Sequence, residues 1–270
     1  MEISVAPRHK KAIRAFLQRL QRDQIPFALG GAFAIYHYTG IWRDTKDMDI
    51  FLLPADADRA VAAAQKLGYN AWIQDQHWLA KARTNGYLID MIYGGGNWFG
   101  QVTVDWLRRA RSMRLFNLDL KVLAPEEIIW SKAYVAHRER YDGADILHLI
   151  RYASDQIDWQ HLLTRFSAHP NLLLSYIALF SFAYPWETHR IPEDVMRQLT
   201  EGLLDQRRRT HQDNRVCWGM LLDPAQFAYD VEIGGCSDPR EILAAAQETS
   251  PEEVRRERQA IWQQRQGDNE

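Results

Sequence analysis

The chain has 270 residues, 46% of them hydrophobic and 25% charged, the balance of an ordinary globular protein. No stretch approaches the roughly 18 uninterrupted apolar residues of a membrane span, and Met1 to Lys11 carries charges and a proline where a secretory leader needs an apolar run, so a cytoplasmic protein without membrane partners is expected. A net charge of −2 gives no global attraction to nucleic acid, and two cysteines, Cys217 and Cys236, exclude a disulfide framework and a Cys-rich zinc site.

In chain order, residues 8–23 read as a helix, because Ile13, Phe16, Leu17 and Leu20 recur at three- and four-residue spacing with Lys and Arg between them. Phe27-Ala28-Leu29 is a short buried strand ended by Gly30-Gly31, and residues 32–38 form a helix stopped at Gly40. A second strand covers 48–53 up to Pro54, and a helix over 56–67 stops at Gly68. Residues 77–83 and 87–93 are strands joined through Thr84-Asn85-Gly86, a hairpin signal, and Gly94-Gly95-Gly96 ends the second. Past residue 120 the texture is helical: Pro125 with Glu126 and Glu127 opens a helix that runs through 128–135, another spans 142–152, and Leu172 to Tyr184 is apolar without strand alternation. The last twenty residues are a charged helix or a frayed tail.

The chemistry concentrates between Leu29 and Leu52. Residues i and i+2 of a strand share a face, so Asp47 and Asp49 project together while Met48 and Ile50 project away. Two adjacent carboxylates repel, and a hard divalent cation between them removes that cost. Read alone, the same residues are also an acidic strand edge capped by Arg43 and Lys46. Gly30-Gly31 lies between a strand and a helix, where bare backbone can approach phosphate. Asp90, amid Leu88, Ile89, Met91 and Ile92, needs a partner to be buried, either a shared metal or a core salt bridge to an arginine.

The pattern of Gly-Gly, eleven residues, Arg-x-Thr-x-Asp-x-Asp and a later strand-borne Asp resembles the nucleotidyltransferase superfamily related to DNA polymerase beta, and within it the abortive-infection (AbiEii-like) toxins and minimal nucleotidyltransferases. The resemblance spans roughly residues 10–150. It implies an α/β (α+β) catalytic domain with a mixed, twisted sheet over 1–120, followed by a helical domain over 121–270 that shapes the cleft and the acceptor site. It implies transfer of a nucleoside monophosphate from an NTP to an acceptor hydroxyl with release of pyrophosphate, on two Mg²⁺ ions. The acceptor is RNA or protein in a toxin-like version, with a partner antitoxin conceivable, or a small molecule. By the resemblance, Asp47, Asp49 and Asp90 are the catalytic metal carboxylates and Asp90 the general base; Gly30, Gly31, Arg43 and Thr45 serve the nucleotide. A second block, Lys132-Ala133, Arg138, Arg140, Asp142 and Asp145, resembles the toxin group's helical motif and implies a phosphate contact for Lys132; without the family, Arg138 and Asp142 are an i,i+4 surface pair.

The family's turn often reads Gly-Ser, so Gly31 removes one expected hydroxyl contact, and nothing familiar matches residues 155–270. The alternative from another class is a non-catalytic nucleotide-binding regulator with the same fold. Two arginine clusters, Arg108, Arg109, Arg111 and Arg114, then Arg207, Arg208, Arg209 and Arg215, read first as solvated helix faces and second as phosphate or RNA contacts. Trp98, Phe99 and Trp106 read as core, with base stacking as the second reading. Cys217, Cys236 and His211 read as separate groups rather than a ligand set, and His137, His148 and His161 have no metal-ligand spacing.

Overall fold

The computed structural model describes residues 5–209, 215–247 and 249–267. The chain forms two compact units. The first holds residues up to Gly96, Gly100–Ile129 and His148–Leu162; the second holds Asn97–Phe99, Trp130–Leu147 and the residues from Leu163 onward. No helix among the described residues is long and apolar enough to cross a membrane.

The elements in order are α1 (Pro7–Arg22), β1 (Phe27–Leu29), α2 (Gly31–Thr39), β2 (Asp47–Leu52), α3 (Ala57–Gln65), β3 (Asn70–Asp75), β4 (Leu79–Thr84), β5 (Tyr87–Ile92), α4 (Val104–Arg109), β6 (Arg111–Leu115), β7 (Leu118–Val122), α5 (Pro125–Ala133), α6 (Gly143–Ala153), α7 (Trp159–Arg165), α8 (Pro170–Ala183), α9 (Glu193–Arg209), α10 (Pro224–Glu232), α11 (Pro239–Ala246) and α12 (Pro251–Gly267). The seven strands make one mixed sheet in the order β3-β4-β5-β2-β1-β7-β6. β2 runs parallel to β5 and antiparallel to β1, so it lies inside the sheet with neighbours on both sides. Its apolar positions Met48, Ile50 and Leu52 are fully buried, as are Ile89 and Met91 on β5. Burial of that face fixes the strand's register, because a slip of one residue would bring the aspartates to the core.

Three strands were not expected from the sequence: β3, β6 and β7. β7 does carry the signal, with Leu118, Leu120 and Val122 buried and Asp119 and Lys121 exposed. Its partner β6 hides it, since only Met113 and Leu115 are buried there and the turn is Phe116-Asn117. Both turn residues adopt positive φ, 52° and 61°, the hairpin geometry that Asn-Gly usually announces. The expected hairpin at Asn85-Gly86 has the same geometry, φ 49° and 78°, between the paired Thr84 and Tyr87.

The first unit also runs beyond residue 120. Glu126 and Glu127, fully buried at the start of α5, explain why. Glu126 accepts a hydrogen bond from the Asp158 amide, and Glu127 pairs with His161 at 2.8 Å. Burial pushes the Glu126 carboxyl above its usual range, against the pull of that amide and of Arg109.

The second unit packs α8 through Leu173, Tyr176, Ile177 and Phe180, and the Tyr176 hydroxyl donates to the Ala133 carbonyl at 2.9 Å. Phe99, Trp130, Tyr134 and His169 form an aromatic cluster. A buried ionic network joins α10, α11 and α12: Arg240 and Arg258 both bond Asp238 at 3.0 Å, and Arg258 also reaches Glu232 and Glu241 at 2.6 Å each.

Candidate active site

Asp47 and Asp49 leave β2 on one face, both half-buried, with Met48 and Ile50 buried on the other. β5 runs beside them in a register that sets Asp90 directly against Asp49. The three carboxylates therefore share one sheet face, two on one strand and one on its neighbour. Beyond Asp49 the same face closes with Phe51, stacked on Trp106 at 6.1 Å. Trp106 is 3% exposed, so it packs the core and is not available to stack a base. Trp98 is likewise core, packed with Ala244 and Val254 in the second unit.

The glycine turn meets this face closely. The Gly30 amide donates to the Asp49 carbonyl at 2.9 Å, continuing the sheet by one bond. Gly31 has φ +51°, which favours glycine, and a Cβ there would overlap Asp49 Oδ2 and stand 2.8 Å from its Cγ. A Cβ on Gly30 would overlap the Phe51 ring. The serine of the Gly-Ser version of the turn therefore has no room in this conformation. What the turn offers is backbone at the start of α2, where first-turn amides lack intrahelical acceptors.

Each remaining expected residue has a definite position. Thr45 Oγ1 donates to the Asp47 carboxylate and, at 3.1 Å, to the Asp47 carbonyl, so it orients Asp47 itself. The Tyr87 hydroxyl donates to the same carbonyl at 2.8 Å. Burial, followed by the charges of Asp47 and Asp49, raises the Tyr87 hydroxyl far above its ordinary pKa, so it stays a donor. Arg43 is exposed in the loop before β2; together with burial, which acts more strongly, its charge lowers the His148 pKa. Lys132, in the second unit, is held between Asp142 at 2.7 Å and Asp145 at 2.9 Å. Asp142 also takes Arg140, and Arg138 gives its backbone amide to Asp223 instead of forming a surface pair with Asp142.

Asp90 has a partner that the sequence reading missed. Lys81 Nζ donates to both of its oxygens, at 2.9 and 3.1 Å, from the directly opposed position on β4. The core salt bridge foreseen as one of two readings exists, with a lysine in place of an arginine. The signal was present: once Asn85-Gly86 is a two-residue turn, counting outward along both strands brings Lys81 opposite Asp90.

For a divalent cation, the Asp47 and Asp49 pair has the right donor chemistry, hard oxygens on one face beside bare backbone. Among the described residues no three or more His, Cys, Asp or Glu side chains converge as a ligand set, and Asp90 is engaged by Lys81. Cys217 and Cys236 are free thiols, and His211 lies outside the described residues.

Four of the eight clustered arginines pair with acids, three in the first cluster and one in the second. Arg108 pairs with Asp105, Arg109 with Asp158, Arg114 with Asp119 and Arg208 with Asp205. Arg111 and Arg114 stand on the edge strand β6 and not on a helix.

No protein-family model matches the chain, and no curated protein matches it. Among solved structures it is similar to the antibiotic-resistance factor ANT(2'')-Ia in solution, at 14% identity and TM-score 0.39 over 75% of this chain and 98% of that one. It is similar to the lincosamide antibiotic adenylyltransferase LnuA with lincomycin bound, at 16% identity and TM-score 0.39 over 52% and 94%. A third is an antigenic nucleotidyltransferase-like protein from Paracoccidioides brasiliensis, at 18% identity and TM-score 0.36 over 62% and 92%.

Proposed function

We propose that the chain is a metal-dependent nucleotidyltransferase that moves a nucleoside monophosphate from an NTP to an acceptor hydroxyl. The acceptor oxygen bonds to the α-phosphorus, the bond from that phosphorus to the bridging oxygen breaks, and pyrophosphate leaves with the electron pair. The hydroxyl proton passes to Asp90. A divalent cation bound by Asp47 and Asp49 supplies Lewis-acid stabilisation of the phosphoryl oxygens. Thr45 fixes the Asp47 carboxylate, and the Gly30-Gly31 backbone with the α2 amides takes the phosphates.

The observation that carries this reading is the close approach of the glycine turn to Asp49. An acidic strand edge kept only for solubility has no use for a left-handed glycine whose missing Cβ is the space Asp49 fills. We assign the acceptor to small hydroxyl-bearing molecules in preference to RNA, because three of the four arginines in the first cluster are paired with acids and the net charge is −2.

The test is incubation with each of four α-³²P-labelled NTPs, Mg²⁺ and cell extract, comparing the native protein with Asp47→Ala/Asp49→Ala. Label in a small-molecule fraction with the native protein alone is the expected result. Label in RNA or protein would move the acceptor to the toxin-like version. If no fraction is labelled although NTP binds in a Mg²⁺-dependent way, the catalytic reading fails and a nucleotide-binding regulator replaces it.

A further inference from the structure

The strand register draws a row across the carboxylate face: Trp72 on β3, Lys81 on β4, Asp90 on β5, Asp49 on β2, and Gly30 beyond it. Neighbouring strands are about 4.8 Å apart, so Asp90 stands between a carboxylate on one side and an ammonium on the other at similar spacing. Like charges directly opposite destabilise a sheet, and opposite charges stabilise it. Lys81 thus answers electrostatically for one of the three carboxylates, and both Asp90 oxygens already accept from it. The pair is mostly buried, with the Lys81 and Asp90 side chains 23% and 17% exposed, so solvent competes weakly for either partner. Among the described residues Asp47 has no comparable ammonium; its carboxylate takes the Thr45 hydroxyl.

A cation and an ammonium compete for the same carboxylate charge. We propose that Lys81 is a positioning residue that keeps Asp90 out of the cation set: without nucleotide, the chain binds one divalent cation through Asp47 and Asp49. Asp90 becomes a further ligand only when Lys81 is released from it. The inference rests on the metal reading of the Asp47 and Asp49 pair above, and it replaces a resting two-ion site with a one-ion site whose second position is held by a side chain.

The experiment is a Mn²⁺ titration read by the electron paramagnetic resonance of free Mn²⁺, with no nucleotide present. It compares the wild type, Lys81→Met, Lys81→Arg and Asp47→Asn/Asp49→Asn, with thermal melts by circular dichroism as the fold control. The wild type is expected to bind one ion. Lys81→Met is expected to bind a second, or to bind the first at least tenfold more tightly, while Lys81→Arg restores wild-type behaviour. If Lys81→Met does not fold, Lys81→Gln takes its place under the same criteria. A folded neutral variant that matches the wild type in number and affinity, while Asp47→Asn/Asp49→Asn loses binding, overturns the role of Lys81 and leaves the metal reading intact. Unchanged binding in Asp47→Asn/Asp49→Asn, or no binding in the wild type and the neutral variant alike, removes the metal reading and this inference with it.

Discussion

Replacing Gly31 with alanine is expected to reduce activity far more than stability, because the two losses come from different atoms. The backbone contribution follows from φ +51°: an L-residue held in the left-handed region costs about 1–2 kcal/mol. The side-chain contribution comes from the new Cβ, which would overlap Asp49 Oδ2 and stand 2.8 Å from Cγ and 3.2 Å from Cβ of that residue. Carbon atoms rest about 3.5–4.0 Å apart, so the Asp49 carboxylate must move by roughly 1 Å. Asp49 is half-buried at the end of a rotatable side chain, so the fold tolerates the swing. The chemistry does not, since a 1 Å misplacement costs on the order of 10²-fold in rate. Urea unfolding should therefore show a loss of about 1–2 kcal/mol, and labelled-NTP transfer a fall in kcat/KM of about 10²-fold or more. Gly31→Ser should behave like alanine in spite of its hydroxyl. Alanine activity equal to wild type, or a serine variant more active than wild type, would refute the argument that the turn is bare to make room for Asp49.

Three further outcomes are expected. Thr45→Val removes the hydroxyl that holds the Asp47 carboxylate and should lower turnover with an unchanged melting temperature; unchanged turnover would separate Thr45 from the site. Burial pushes the Asp142 carboxyl up, but hydrogen bonding to Arg140 and the charge of Lys132 outweigh it and hold it below the usual range. A depressed carboxylate contributes stability above its unfolded pKa, near 3.9, and loses it as pH falls through the folded value, so Asp142→Asn should flatten the acid limb of the stability profile below about pH 4. A variant with the same acid limb as wild type would contradict that assignment. Arg258→Met leaves the buried Asp238 and the half-buried Glu232 with fewer counter-charges and should cost about 3–5 kcal/mol in thermal or urea unfolding; a loss under about 1 kcal/mol would show the network to be dispensable.

How much of this was legible depends on whether the signal was local. β1, α2, β2 and the hairpin of β4 and β5 were readable because apolar runs and glycines mark them within a few residues, and the paired faces of Asp47 and Asp49 follow from strand periodicity alone. β6 and β7 were missed because Phe116-Asn117 turns the chain with non-glycine residues at positive φ, a choice that composition does not announce. The partners of the site were harder still. That Thr45 serves Asp47 and Lys132 serves Asp142 and Asp145 depends on rotamers and tertiary packing, which spacing does not encode. Lys81 is the intermediate case, since the two-residue turn fixes the hairpin register that sets it opposite Asp90.

The two-residue turn at Asn85-Gly86 therefore acts as a gear for the chemistry four residues along each strand. Its length alone decides which side chain of β4 meets Asp90, and the neighbours of Lys81 on either side are Ala80 and Ala82. One inserted residue that shifts the pairing by a single step would set an alanine against Asp90 and turn the ammonium to the opposite face. The charge balance of the carboxylate row would then change without alteration of any residue in it, so turn length in this hairpin is a quantity on which the cation demand of the whole face depends.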